Sequence, residues 1–237
     1  MHRWWIAAGA LALLAGCDKG NEAKAPASVA AVASGPLAPP VAPAASPTPA
    51  AADGLGCDTP IPPTASFASL KAQFGDAIRK GDIPGAEGQT AKGAVLYGAT
   101  PARTLQISFW DAAMAHVSGV SPADKATAWI GPMGLHLGST LAEVEKANGR
   151  PFVIGGFGWD YGGYITDFKG GALAKVAGGC AMSLRFDAGD SDRPMPDGIS
   201  GDGVSVASND PRVQKWGPVV SQMEIGWPLP KGVTPAP

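Results

Sequence analysis

Prolines at 26, 36, 39, 40, 43, 47 and 49 punctuate a stretch that carries no charge between Lys24 and Asp53 and is otherwise mostly Ala, Ser and Val. A segment of this kind cannot bury enough apolar surface to offset the entropy of ordering, and its prolines bias it toward polyproline II. Residues 17–56 therefore read as a disordered tether, of which some thirty-five extended residues reach about 110 Å at ~3.1 Å per residue. The alternative reading is a proline-rich recognition segment. The closing residues 228–237 read as a similarly unstructured tail. Folding is thereby confined to about 57–227, roughly 170 residues, enough for one domain or two small ones with a real core.

Ahead of the tether stands Met-His-Arg-Trp-Trp-Ile-Ala-Ala-Gly-Ala-Leu-Ala-Leu-Leu-Ala-Gly-Cys. Arg3 is its one basic residue, and the apolar run from Trp4 to Ala15 is too short to span a bilayer as a mature helix. Leu14-Ala15-Gly16-Cys17 resembles the lipobox of bacterial lipoproteins. The resemblance implies that residues 1–16 are a signal peptide, that the Cys17 thiol takes the lipid, and that cleavage follows Gly16. It further implies a membrane partner reached through lipid on Cys17, in the bacterial cell envelope and facing the periplasm or exterior. Two or three acyl chains give the durable anchoring that one cannot, at ~0.8 kcal/mol per buried methylene. Asp18 resembles the inner-membrane retention signal of enteric bacteria, but the rule varies, so inner and outer membrane both stay open. The competing reading is an ordinary signal peptide with an incidental cysteine.

With Cys17 lipidated, Cys57 and Cys180 remain. In an exported protein they are most simply one disulfide, worth ~4–5 kcal/mol for a loop above a hundred residues; the alternative is two free buried thiols. Net charge is −2 with no cluster of Lys or Arg, which excludes a nucleic-acid partner.

Periodicity divides the foldable part into helices and strands. Thr64 to Ile78 reads as a helix on the stripe Phe67, Leu70, Phe74, Ile78. Gly93–Tyr97 and Thr104–Trp110 read as a strand pair, the second with Leu105, Ile107 and Phe109 on one face and Gln106, Ser108 and Trp110 on the other. Ala128–Ile130 is a third candidate strand. Thr140-Leu141-Ala142-Glu143 has the capping-box spacing of a helix that ends at Asn148-Gly149 before Pro151. Phe152–Phe157, Tyr164–Phe168, Cys180–Phe186 and Val219–Trp227 read as strands. Cys180, Met182, Leu184 and Phe186 share one inward face, and in the last strand Val219, Ser221, Met223, Ile225 and Trp227 alternate with Val220, Gln222, Glu224 and Gly226. The fold class is α+β, with two tandem units of a short helix packed on an antiparallel sheet, 57–132 and 133–227.

Gly134-Leu135-His136-Leu137-Gly138-Ser139-Thr140-Leu141-Ala142-Glu143-Val144, with Gly149-Arg150-Pro151 after it, resembles the opening of the small outer-membrane assembly lipoproteins. The tandem layout resembles the β-lactamase inhibitory proteins. About twenty residues carry the match. Neither family is enzymatic and both act by binding protein surfaces, so the resemblance implies a noncatalytic binding role.

Gly155-Gly156-Phe157-Gly158-Trp159-Asp160-Tyr161-Gly162-Gly163-Tyr164 is the most unusual segment. Phe157, Trp159, Asp160, Tyr161 and Tyr164 form a candidate partner-binding platform, the rings stacking and Asp160 accepting hydrogen bonds. The alternative is a twisted hairpin in which Gly162 and Gly163 take positive φ and Phe157 and Trp159 fill the core. His116 and His136 lack ligand spacing, and the acidic loop from Asp187 through Asp190, Asp192, Asp197 and Asp202 lacks the EF-hand pattern, so no metal and no cofactor is expected. His136, between Leu135 and Leu137, reads as a surface strand residue. The leading expectation is a lipid-anchored, noncatalytic envelope protein that binds a protein or cell-wall partner. The others are a proteinaceous inhibitor of an exported hydrolase and an envelope hydrolase, although no nucleophile elbow or phosphate loop is present.

Overall fold

The computed structural model describes residues 53–189 and 192–236. The signal segment 1–16, Cys17 and the tether up to residue 52 lie outside the described residues, as does Asp190 of the acidic loop. The first half of the described chain runs β1 (Asp53–Gly54), α1 (Phe67–Phe74), β2 (Ile78–Pro84), β3 (Thr90–Leu96), β4 (Leu105–Phe109), β5 (Val117–Pro122) and β6 (Trp129–Ile130). The second half runs α2 (Leu141–Asn148), β7 (Val153–Gly155), β8 (Ile165–Asp167), β9 (Ala181–Asp187), β10 (Ser205–Ala207), α3 (Pro211–Trp216) and β11 (Val219–Gly226). The fold is α+β. Its main sheet has the order β2-β3-β4-β5-β11-β9 and is antiparallel throughout. Two small sheets accompany it, β10-β7-β8 and the parallel pair β1-β6. Residues 57–132 supply α1 and four strands of the main sheet, 133–227 supply α2, α3 and the other two, and the strands of both meet where β11 pairs with β5.

Period-two apolar residues build the core face of this sheet. Ala94, Ile107, Val120, Ile225 and Met182 form one row across five strands, each paired with the next and none more than 5% exposed. Ile78, Leu96, Leu105 and Pro122 form a second buried row. Burial at this level contributes about 1.5–3 kcal/mol per Leu or Ile side chain, before the entropy of ordering the chain is subtracted. On the opposite face the paired residues are polar or small: Gln106 with Ser121, Ser108 with Gly119, Glu224 with Ser183, and Gln222 with Arg185.

The stripe from Phe67 to Ile78 is broken where the sequence pattern suggests continuity. Ser66 and Ser69 make the capping box of α1, but Gly75, at φ 55 and ψ −128, ends the helix, and after one 3-10 turn Ile78 opens β2. Two further elements have no periodic signature in the sequence. Strand β5, spelled Val-Ser-Gly-Val-Ser-Pro, has the composition of a turn. Helix α3 is too short for a stripe, although its end signals are present: Asp210 caps it, Pro211 opens it, and Gly217 closes it in the left-handed region. In β11 a bulge sets Val220 opposite Phe186 and Gln222 opposite Arg185, leaving Ser221 as the extra residue. The inward set is therefore Val220, Met223, Ile225 and Trp227, in place of the strict alternation that would put Val219 and Ser221 inside.

Around α2 the local pattern holds. Thr140 Oγ1 accepts from Glu143 N at 3.3 Å, Thr140 N donates to Glu143 Oε2 at 2.7 Å, and Gly149 takes φ 77. Leu141 and Val144 are buried. Asn148 does more than end the helix. Buried at 1% exposure, its amide donates to the carbonyls of Arg150 and Phe168 and its oxygen accepts from Leu173 N. His136 sits half-buried in a turn, not on a strand, with its Nδ1 2.8 Å from Leu137 O. Residues 228–236 form no helix or strand; they run back to β4, where Ala236 N donates to Trp110 O at 2.7 Å. Among the described residues no helix is long and apolar enough to cross a membrane.

Cys57 and Cys180 form a disulfide across 123 residues, with Cα atoms 5.4 Å apart. It ties the start of the folded region to the strand beside β11. Replacing both cysteines by Ala is expected to lower unfolding free energy by about 4–5 kcal/mol, read from urea denaturation of the oxidised wild type against the variant. Asn148→Leu, which leaves the Arg150 carbonyl and the Leu173 N–H without partners inside the protein and takes one of two donors from the Phe168 carbonyl, is expected to cost about 2–5 kcal/mol in the same measurement.

Candidate functional site

The polar face of the sheet is the floor of a cleft of about 420 Å³. Strands β4 and β5 contribute Gln106 and Ser121 to it, β11 contributes Gln222 and Glu224, and β9 contributes Ser183 and Arg185. One wall is the tip of the β2–β3 hairpin, Pro84 to Gly88, and the other is the segment that carries Asp160, Tyr161 and Tyr164. Asp124, just after β5, also lines it.

Only part of the sequence-predicted aromatic platform reaches this cleft. Asp160 and Tyr161 are exposed, Tyr164 is half-buried, and all three line it. Phe157 does not. It is buried at 2% exposure and packs edge-on against Trp216 at 4.9 Å, so its ring belongs to the core. Trp159 is half-buried and held within its own loop, its Nε1 donating to Gly156 O at 2.8 Å and its ring edge-on to Tyr161 at 5.5 Å. Gly163 takes φ +80, the positive angle expected of a turn glycine, whereas Gly162 is needed for space: a Cβ there would overlap the Gly156 carbonyl.

Arg185 fastens this loop to the sheet. From β9 its Nε donates to Gly162 O at 2.8 Å and its Nη2 to Trp159 O at 3.2 Å, with the guanidinium 5.2 Å from the Tyr164 ring centre. Tyr164 donates its hydroxyl to Gln222 Oε1 at 2.7 Å, which orients the ring above β11. Tyr161 reaches across to the opposite wall and donates to Glu87 Oε1 at 3.1 Å. That bond and the charge of Glu87 push the Tyr161 hydroxyl above its ordinary pKa. Glu87 itself stands in the left-handed region at φ 54, on the tip of the hairpin.

Glu224 is the least compensated group of the floor. Its carboxyl occupies the space left by Gly119 on the neighbouring strand, where any Cβ would overlap Oε1. It accepts no hydrogen bond from the described residues, and crowding by surrounding protein pushes its pKa above the ordinary value although the residue is exposed.

The other titratable arrangements lie elsewhere. Asp111 accepts from the backbone N–H groups of Ala115 and His116 and lies 2.9 Å from His116 Nδ1, in the β4–β5 connection and away from the cleft lining. Burial raises the Asp111 pKa, and these hydrogen bonds outweigh it to leave the carboxyl below its ordinary value. Asp187, Asp192, Asp197 and Asp202 are exposed. Among the described residues no group of three His, Cys, Asp or Glu side chains is placed to hold a metal ion. What the cleft offers chemically is recognition: hydrogen-bonding side chains on a rigid floor, two phenol rings, and carboxylates at its floor and rims. No motif in the sequence marks Glu87 or Asp124, and the floor residues are visible there only as the polar phase of separate strands.

Glu224→Gln keeps the shape and removes an unpartnered charge, so it is expected to leave Tm at neutral pH unchanged or raise it. Because the folded state holds this proton to higher pH than the unfolded state does, the wild type is expected to lose stability relative to the variant as pH rises from the ordinary carboxylate value through the raised one. Thermal melts of both proteins across that range check the sign; a clear drop in the variant's Tm at neutral pH would mean that the carboxylate has a stabilising partner.

The chain matches no protein-family model, no curated protein and no solved structure.

Proposed function

We propose that this chain is a lipid-anchored, noncatalytic protein of the bacterial envelope that binds a protein or cell-wall partner through the cleft on the polar sheet face. The lipid belongs on Cys17, within the lipobox Leu14-Ala15-Gly16-Cys17. The observation that carries the binding reading is the bridge between the two cleft walls, Tyr161 to Glu87, above a floor of polar side chains fixed by paired strands. Such a surface is preorganised: its floor residues sit in a sheet, and Arg185 and Gln222 hold the aromatic wall, so little ordering entropy is lost when a partner docks.

Two measurements test the proposal. Metabolic labelling with a radioactive fatty acid is expected to mark the wild type and not Cys17→Ser; equal labelling would remove the anchor. Chemical crosslinking of intact envelopes and then affinity purification is expected to recover a partner with the wild type. The Tyr161→Ala, Tyr164→Ala double variant is expected to recover it at least about tenfold less, as for loss of central aromatic contacts. An unchanged partner set in a variant that melts like the wild type would place binding elsewhere.

A further inference from the structure

The charges of the cleft are segregated from the rest of the molecule. Six ion pairs join described residues elsewhere, and none involves a residue that lines the cleft. Within it stand four carboxylates, Glu87, Asp124, Asp160 and Glu224, against the single cation Arg185. Asp124, Asp160 and Glu224 neither accept a hydrogen bond nor pair with a cation among the described residues, while Arg185 is already turned to two backbone carbonyls and the Tyr164 ring. An anionic ligand would therefore meet repulsion with no unengaged cation to offset it, and a cation would meet complementary charge beside two phenol rings.

We propose that the occupant of the cleft is a basic segment of a protein partner, which places ammonium or guanidinium groups against Glu224, Asp160 and Asp124. This rests on the reading of the cleft as the binding surface and adds the chemistry of what fills it. A polypeptide is the occupant because the carboxylates stand on separate elements, Glu224 on β11, Asp160 between β7 and β8 and Asp124 just after β5, so a single amine serves one of them and several spaced cations serve all. The volume, about 420 Å³, is within the ordinary range of ligand pockets and takes long basic side chains with their methylene stems along the tyrosines. Glu224 gains most, since a cation beside it supplies the partner that the fold does not.

The test uses the full-length protein in detergent micelles and fluorescence anisotropy of labelled peptides of Gly-Ser-Lys repeats, with acetyl-lysine and glutamate counterparts, and a cell-wall stem peptide with one free amine. The lysine peptide is expected to bind, more weakly as salt rises, and the acetylated and glutamate peptides to bind at least about tenfold more weakly. The Glu224→Gln, Asp160→Asn double variant is expected to lose a similar factor. Equal binding of the acetylated peptide, no effect of neutralising the carboxylates, or no binding of the lysine peptide would each overturn the proposal. Tighter binding of the stem peptide than of the lysine peptide would overturn the protein occupant in favour of the cell wall. If the envelope partner is lost on Tyr161→Ala, Tyr164→Ala yet is retained on Glu224→Gln, Asp160→Asn, the cleft stands as the binding surface and the cationic occupant falls; retention on both sets of substitutions removes the two together.

Discussion

Strand β11 pairs with β5 on one side and β9 on the other, so the last strand of the fold joins what the two parts of the chain build. Both faces of the sheet depend on that insertion. Met223 and Ile225 extend the buried core face built by the rows that begin on β2 and β3, and Gln222 and Glu224, pointing the other way, complete the cleft floor. A shift of β11 by one residue would exchange the two sets and drive Glu224 into the core. The bulge at Ser221 keeps Val220 and Met223 on the same side, and the disulfide ties the neighbouring strand to the beginning of the folded region. Pairing β11 with β5, far back in the chain, makes folding wait on non-local contacts, which are entropically expensive to form first.

The cleft reflects a division of labour among its residues. Arg185, Tyr164 and Gln222 are satisfied by one another and by backbone carbonyls, and they hold geometry. Asp124, Asp160 and Glu224 are left unsatisfied within the fold and hold charge. A molecule selected only for stability has little reason to crowd a carboxylate over a glycine on a paired strand, as Glu224 is over Gly119, without giving it a donor. The cost is tolerable because the group stays exposed to solvent.

Much of the local structure is legible in the chain. The phase of Cys180 to Phe186, the capping box at Thr140 and Glu143, and the pairing of Cys57 with Cys180 come from spacing and chemistry that act over a few residues or from simple cysteine arithmetic. Sequence reasoning fails where two signals overlap: Ile78 continues the helical stripe of Phe74 and also begins a strand, and only the backbone of Gly75 decides between them. The 155–164 segment is conspicuous for its aromatics and glycines, yet alternation cannot tell that Phe157 faces Trp216 while Tyr161 faces Glu87, seventy-four positions away in sequence. The polar phases of β4 and β11 are each readable, but which strands lie side by side is a property of topology, and the cleft exists only through that adjacency.

On the proposed reading, the polar face of the sheet is where this protein meets its partner. The most direct test is residue-specific photocrosslinking in living cells, with a photoreactive amino acid placed in turn at Gln106 on the cleft floor, Tyr161 on its wall and Lys146 on the exposed side of α2. Crosslinks to one envelope partner from Gln106 and Tyr161, with none from Lys146, are the expected result. A partner captured from Lys146 while both cleft positions stay silent would contradict it.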